Sequence, residues 1–220
     1  MTAVTVPTTA ALDLALVDVT CSFGAEPAVR GVHLAVRPGE KAALTGTNGS
    51  GKTTLLRAVL GLHRGRVAGR ISVGGAVAAT RADWARRRRA CAWIPQRQGG
   101  GAFPLLAEEL LAGSGDLAAA VAAAHRLGVA HLLHRPVHTL SGGQVQRVHL
   151  ARAVGCVAAG AGLLLADEPT AALDFAGQRE AADVLLGLPA TVVVVTHDRH
   201  LADRCDRRLE MAAGALREAP

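Results

Sequence analysis

Four short stretches of this sequence carry side chains that together could bind and cleave a polyphosphate. The first is Gly46-Thr47-Asn48-Gly49-Ser50-Gly51-Lys52-Thr53-Thr54, which follows the apolar run Ala42-Ala43-Leu44 and opens into Leu55 to Leu60. A glycine-rich turn between a strand and a helix lets backbone N–H groups close on phosphate oxygens, with the positive end of the helix facing the same charge. Lys52 would reach the terminal phosphates, and the Thr53 hydroxyl would sit on Mg²⁺. The second stretch is Leu140-Ser141-Gly142-Gly143-Gln144, where a hydroxyl and two glycine N–H groups open another helix and make a second anion site. It serves either a phosphate of its own or the nucleotide of a partner molecule. In the third, the apolar run Leu163 to Ala166 delivers two acids. Asp167 would hold Mg²⁺ directly or through a water, and Glu168 would orient or deprotonate an attacking water. The fourth is the β-branched run Thr191 to Thr196, which ends at His197, a group able to bond the γ-phosphate or that water.

Two further residues belong with these. Gln96, after Ala92-Trp93-Ile94-Pro95, offers a carbonyl oxygen to Mg²⁺ or to a water. Phe23 is either a stacking surface for an adenine ring or an ordinary core aromatic, and its chemistry alone does not separate the two.

The 220 residues are enough to bury a substantial core in one domain. Hydrophobic residues make up 50% and aromatics only 2%, so Ala, Val and Leu must build that core. A net charge of +6 permits contact with nucleic acid or an anionic membrane surface but requires neither. The sharpest basic run, Arg86 to Arg89, reads as a solvated helix end. Cys21, Cys91, Cys156 and Cys205 are scattered without metal-ligand spacing, as expected for reduced thiols in the cytosol. No signal peptide is evident, and the longest apolar run, Ala153 to Ala166, is too short to span a bilayer.

These stretches must be positioned by alternating strands and helices. Residues 1–11 form an irregular lead. Leu14 to Val19 and Val32 to Val36 alternate as half-buried strands, with Gly24 to Gly31 as the turn region between them. Arg70 to Gly75 reads as a further strand and turn. Leu105 to His134 is rich in helix formers, with Asp116 as an N-cap and Gly128 as a stop. After His197 come a short helix, a β-like Arg208 to Met211 and an exposed tail. The expected class is α/β: a P-loop NTPase core with a mainly parallel sheet flanked by helices, an N-terminal antiparallel β subdomain and an inserted α-helical subdomain.

Taken together, the motifs resemble those of the ATP-binding subunits of ABC transporters, from about Leu14 to Leu216. The likeness runs through Phe23 at the aromatic A-loop position, the Walker A loop, the Q-loop Gln96 and the signature Leu140 to Gln144 with its extension Gln146-Arg147-Val148. It continues through Walker B ending at Asp167, the acid Glu168, the D-loop Ala172-Leu173-Asp174 and the switch His197. Phe23 stands where Tyr is more usual, and Ala171 where Ser is common. The resemblance implies one ABC ATPase domain over residues 12–217, with the helical subdomain at about 97–158. It implies ATP and Mg²⁺ as ligands and a head-to-tail dimer in which Ser141 and Gly143 of one subunit contact the γ-phosphate held by Lys52 of the other. It also implies transmembrane permease partners facing Gln96 and the helical region, and a place on the cytoplasmic face of the membrane. Ile94-Pro95-Gln96-Arg97 followed by Phe103-Pro104 is similar to subunits serving zinc and manganese importers, which would add a solute-binding protein as a partner. Export of a drug, peptide or lipoprotein is the alternative. ABC ATPases that act on nucleic acid typically carry coiled-coil insertions or tandem cassettes, and no nucleic-acid partner is expected here.

Overall fold

The computed structural model describes residues 10–96 and 104–218. Most of the expected lead, and Arg97 and Phe103, lie outside the described residues.

Strand β1 (Leu14–Phe23) buries Leu14 and Leu16, then Val19 and Cys21. The switch from even to odd positions marks a β-bulge, where Asp18 takes φ 54° and the register against β2 (Glu26–Val36) shifts. Gly24 to Gly31 is therefore mostly strand, and the turn is only the two residues Gly24 and Ala25. Gly31, expected in the turn, sits at φ 54° opposite the bulge and donates its N–H to the Thr20 hydroxyl at 3.0 Å.

The chain continues through β3 (Lys41–Thr45), α1 (Lys52–Val59), β4 (Arg66–Val73), β5 (Ala76–Val77), α2 (Arg81–Ala90) and β6 (Cys91–Ile94). There follow α3 (Ala107–Ala112), α4 (Leu117–Arg126), α5 (Gly142–Ala158), β7 (Leu163–Asp167), α6 (Phe175–Leu186), β8 (Thr191–Val195), α7 (Arg199–Asp203), β9 (Arg207–Ala212) and β10 (Ala215–Glu218). Among the described residues the strands form two sheets, an antiparallel one ordered β2-β1-β4-β5 and a second ordered β10-β9-β3-β8-β7-β6. All neighbours in the second sheet run parallel except β10, which returns on β9. The architecture is α/β with an antiparallel β layer, and that layer recruits β4 and β5 from beyond α1.

Every residue of β7 and β8 is buried, because both faces of the parallel sheet are covered. Alternate residues feed two cores. Leu165 and Val195 pack with Leu14, Val19, Val29 and Leu56 under the antiparallel sheet, whereas Leu164 and Val194 pack with Leu111, Ala124 and Leu150 of the helical side.

Two expectations change. The tail is not all exposed coil: residues 215–218 form β10, with Leu216 paired to Met211. The run Arg86 to Arg89 is not uniformly solvated either. Arg87 is buried, stacks over the Trp84 ring and donates to the carbonyls of Ile71 at 3.0 Å and Ala76 at 2.7 Å, so it ties α2 to the antiparallel sheet. Its neighbours Arg86, Arg88 and Arg89 remain exposed. Among the described residues no helix is long and apolar enough to cross a membrane.

Candidate nucleotide site

Strand β3 lies between β8 and β9 in the middle of its sheet and carries Ala42, Ala43 and Leu44 fully buried. The loop that leaves it is pressed against backbone. A Cβ on Gly46 would lie 2.1 Å from the Met211 carbonyl oxygen, and one on Gly51 would lie 2.3 Å from that of Ala28. Gly46 and Gly51 also hold φ 132° and 103°, values that side chains rarely adopt. Helix α1 starts with no side-chain cap and no acid in its first turn, so its leading N–H groups face the loop mouth.

The Lys52 ammonium folds over that mouth and donates to the carbonyls of Gly46 at 2.7 Å and Thr47 at 2.8 Å and to Ser50 Oγ at 3.3 Å. Burial pushes its pKa down, while the charges of Glu168 and Asp167 push it back up.

Asp167 ends β7 at 1% exposure, and neither of its carboxylate oxygens has a hydrogen-bond partner of full geometry. Burial raises its pKa; the Thr53 hydroxyl, close enough to favour the charged form, lowers it, as do Arg57 and Lys52. Among the described residues no three His, Cys, Asp or Glu side chains gather as metal ligands. A buried, unsatisfied carboxylate beside a threonine hydroxyl nevertheless fits Mg²⁺, which takes one or two carboxylates and completes its shell with water and phosphate.

Glu168, the next residue, adopts φ 52°, a conformation that costs a non-glycine residue about 1–3 kcal/mol. Its N–H is satisfied by the Val195 carbonyl at 2.9 Å, and the turn aims its carboxylate at the loop after β8. There His197 donates its backbone N–H to Glu168 Oε2 at 3.3 Å, and its Nε2 lies 3.4 Å from Glu168 Oε1 and 3.2 Å from Asn48 Oδ1. Burial raises the Glu168 pKa, and the nearby Asp167 charge adds to the rise; the His197 backbone bond, His197 charge and Lys52 oppose it. The tie between Asn48 and His197 joins the first loop to the last, and spacing in the sequence carries no sign of it.

One cavity of about 520 Å³ is lined by Asn48, Gly49, Ser50, Gly51, Lys52, Thr53, Thr54, Asp167, Glu168 and His197, with Phe23 and Gln96 at its rim. Phe23 is 55% exposed, which removes the core-aromatic reading. Gln96 is exposed as well. Gly46 and Thr47, which open the loop, are not among the residues that line the cavity; their carbonyls accept from the Lys52 ammonium.

Ser141 to Gln144 are not among the residues that line this cavity. Ser141 caps α5 through a reciprocal box: its Oγ accepts from the Gln144 N–H at 3.3 Å, and Gln144 Oε1 accepts from the Ser141 N–H at 2.9 Å. Ser141 and Gly142 are exposed, and the Ser141 hydroxyl hydrogen stays available to an anion. Behind them, a Cβ on Gly143 would lie 2.9 Å from the Ala172 carbonyl, so this helix start packs closely on the segment before α6.

Comparison with known proteins gives the family and the fold. The family described as "ABC transporter" matches residues 29–171. The zinc import ATP-binding protein ZnuC of Pseudomonas entomophila (strain L48) is 36% identical over 196 residues, covering 84% of this chain and 69% of that protein. The lipoprotein-releasing system ATP-binding protein LolD of Anaeromyxobacter dehalogenans (strain 2CP-C) is 38% identical over 210 residues, covering 86% of this chain and 84% of that protein. Among solved structures, the dimeric bacterial ABC transporter cassette MJ0796 superposes with a TM-score of 0.82 at 27% identity, over 94% of this chain and 97% of that one.

Proposed function

The chain belongs to the ABC transporter family, and from that premise we propose that it hydrolyses ATP at a site completed by a second ATP-binding subunit, thereby driving a metal-ion importer. It is an ATP-binding cassette and an ATPase. The observation that carries the reading is the meeting of Lys52, Asp167, Glu168 and His197 in one cavity while Ser141 stands outside it.

In this reading Gly46 to Thr54 wrap the phosphates with backbone N–H groups, Lys52 reaches the terminal pair, and Phe23 stacks on the base. Thr53, Asp167 and Gln96 would hold Mg²⁺, which would supply positive charge to offset the negative charge of the phosphates. Glu168, its pKa raised by burial, accepts a proton from the attacking water as the water oxygen bonds to the γ-phosphorus and ADP leaves. His197, held by Asn48 and Glu168, keeps that water and the γ-phosphate in line. Ser141, Gly142, Gly143 and Gln144 of a partner subunit would cover the γ-phosphate from the far side, so subunit association depends on ATP.

Permease subunits in the membrane would hold this subunit on the cytoplasmic face, with a solute-binding protein delivering cargo on the opposite face. The likeness to ZnuC favours zinc, with manganese as the related cargo. The likeness to LolD favours a second reading, lipoprotein release. Proteoliposomes containing this chain and the membrane proteins encoded beside it, with ATP and Mg²⁺ enclosed and zinc and the solute-binding protein outside, test the choice. ATP-dependent zinc entry, lost in Glu168→Gln, is the expected result; ATP-dependent lipoprotein release without zinc entry would establish the second reading.

A further inference from the structure

Phe23 reaches the nucleotide cavity from the last residue of β1, next to a turn, where an exposed ring would swing freely unless something holds it. His63 holds it. The two ring centroids are 4.7 Å apart with planes at 68°, an edge-to-face pair. His63 in turn is fixed by its Nε2, which lies 3.1 Å from the Ser22 carbonyl oxygen; a carbonyl only accepts, so Nε2 carries the hydrogen.

The contact is built into the backbone around it. Gly61, at φ 69°, closes α1 by donating to Ala58 O while Leu62 N–H donates to Arg57 O, and this turn sends the chain back toward β1. A Cβ on Gly61 would strike the Trp84 ring at 2.5 Å. A Cβ on Gly65 would lie 1.9 Å from the Ser22 carbonyl oxygen and 2.7 Å from His63 Nε2. Gly65 thus lets the segment close on the strand that ends in Phe23, while Gly61 lets its other side close on Trp84 of α2. Moreover, His63 lines a separate cavity of about 650 Å³ with Trp84 and Arg87, so it touches Phe23 from outside the volume that takes the nucleotide.

We propose that His63 is a positioning residue for the base of ATP: it fixes the Phe23 ring for stacking and ties base recognition to α1, the helix whose other end carries Lys52 and Thr53. The inference rests on the reading of Phe23 as the stacking platform.

Binding of a ribose-labelled fluorescent ATP, competition by unlabelled ATP and by inorganic tripolyphosphate, and steady-state hydrolysis test it together. Phe23→Ala should weaken ATP about tenfold, the size of one lost base stack. His63→Ala should weaken it about threefold, raise KM by the same factor and leave kcat at saturating ATP unchanged. Tripolyphosphate, which has no base, should bind equally to both variants and to the parent. His63→Phe keeps a ring edge and should recover most of the affinity. The double variant should bind no more weakly than Phe23→Ala alone. If Phe23→Ala weakens ATP and His63→Ala does not, the role of His63 is overturned while stacking stands. If Phe23→Ala leaves ATP binding unchanged, the stacking reading itself fails. Equal loss of tripolyphosphate in His63→Ala, or additive losses in the double variant, would make His63 a structural residue or an independent contact and overturn the proposal.

Discussion

At the start of α1 the chain turns on glycines pressed against the backbone of β2 and β9, and the lysine that follows is buried under the loop. At the start of α5 a serine caps the helix in the open, and its glycines back onto the segment before α6. Both ends offer N–H groups to an anion, and at the first Asp167, Glu168 and His197 line one cavity with the loop, a cavity whose lining does not include Ser141 to Gln144. The difference teaches that a helix dipole alone does not define a catalytic site; the groups that neutralise charge and activate water must converge on the same point. On the proposed reading, α5 acquires such surroundings from a second subunit.

The largest expected effect tests whether the α1 site holds the chemistry. Glu168→Gln removes the proton acceptor but keeps the shape, so turnover should fall by about 10²- to 10⁴-fold while ATP binding persists. An ATP-dependent dimer should then accumulate, read by size-exclusion chromatography with light scattering. Hydrolysis at the parental rate would take Glu168 out of the catalytic role.

The next test breaks the comparison directly. Lys52→Ala disables the α1 end and Ser141→Arg blocks the α5 end, and each variant alone should lose nearly all activity. A mixed dimer pairs an intact Lys52 with an intact Ser141 at one of its two composite sites, so mixing should restore a measurable fraction. If the mixture stays as inactive as its parts, the two helix ends do not meet across subunits.

Much of this was legible in sequence because the local pattern and the buried surroundings agree. The loop Gly46 to Thr54, the run Leu163 to Asp167 and the strand ending at His197 each announce strand, turn and chemistry together, and the structure brings them to one cavity. Other features depend on partners distant in the chain. The bulge at Asp18 turned an apparent turn glycine, Gly31, into a strand residue, and Arg87 looked solvated until Ile71 and Ala76 supplied its acceptors. Helix α6 has no counterpart in the sequence reading, which places Asp174 only in the D-loop; in the structure Asp174 caps α6, its carboxylate accepting from the Gly177 N–H at 2.9 Å. The left-handed backbone of Glu168 has no sequence signal, since nothing in an Asp-Glu-Pro string favours positive φ there.

A stability measurement sharpens the contrast between the two ends, because Asp167 and Glu168 stand buried beside the α1 loop. Burial holds the Asp167 and Glu168 pKa values above their unfolded ones. Such a group contributes its full stability below the unfolded carboxylate pKa, about 4, and loses it as pH rises through the folded value. Asp167→Asn cancels one such loss. At neutral pH it should melt about 2–4 °C above the parent, corresponding to about 1 kcal/mol, and the difference should vanish near pH 4. Mg²⁺ with ATP should stabilise the parent more than the variant, and ATP hydrolysis by the variant should fall. A variant melting below the parent at neutral pH would mean that the carboxylate is already well paired.

The smallest effect concerns the link that closes the α1 site. Nε2 of His197 is shared between Glu168 Oε1 and Asn48 Oδ1, both acceptors, so the ring is held from two loops at once. Asn48→Ala removes one of them and leaves the ring about half exposed, as it already is, with Glu168 as its remaining partner. Neither the phosphate-wrapping N–H groups nor Lys52 changes, so ATP affinity should hold within about twofold. Loss of one neutral hydrogen bond, about 1 kcal/mol, should lower kcat about fivefold through poorer alignment of His197. Asn48→Asp keeps an acceptor and should retain more of the rate, although its added charge beside the phosphates should weaken ATP. A fall in affinity with unchanged kcat in Asn48→Ala would instead assign Asn48 to phosphate binding and leave His197 positioned by Glu168 alone.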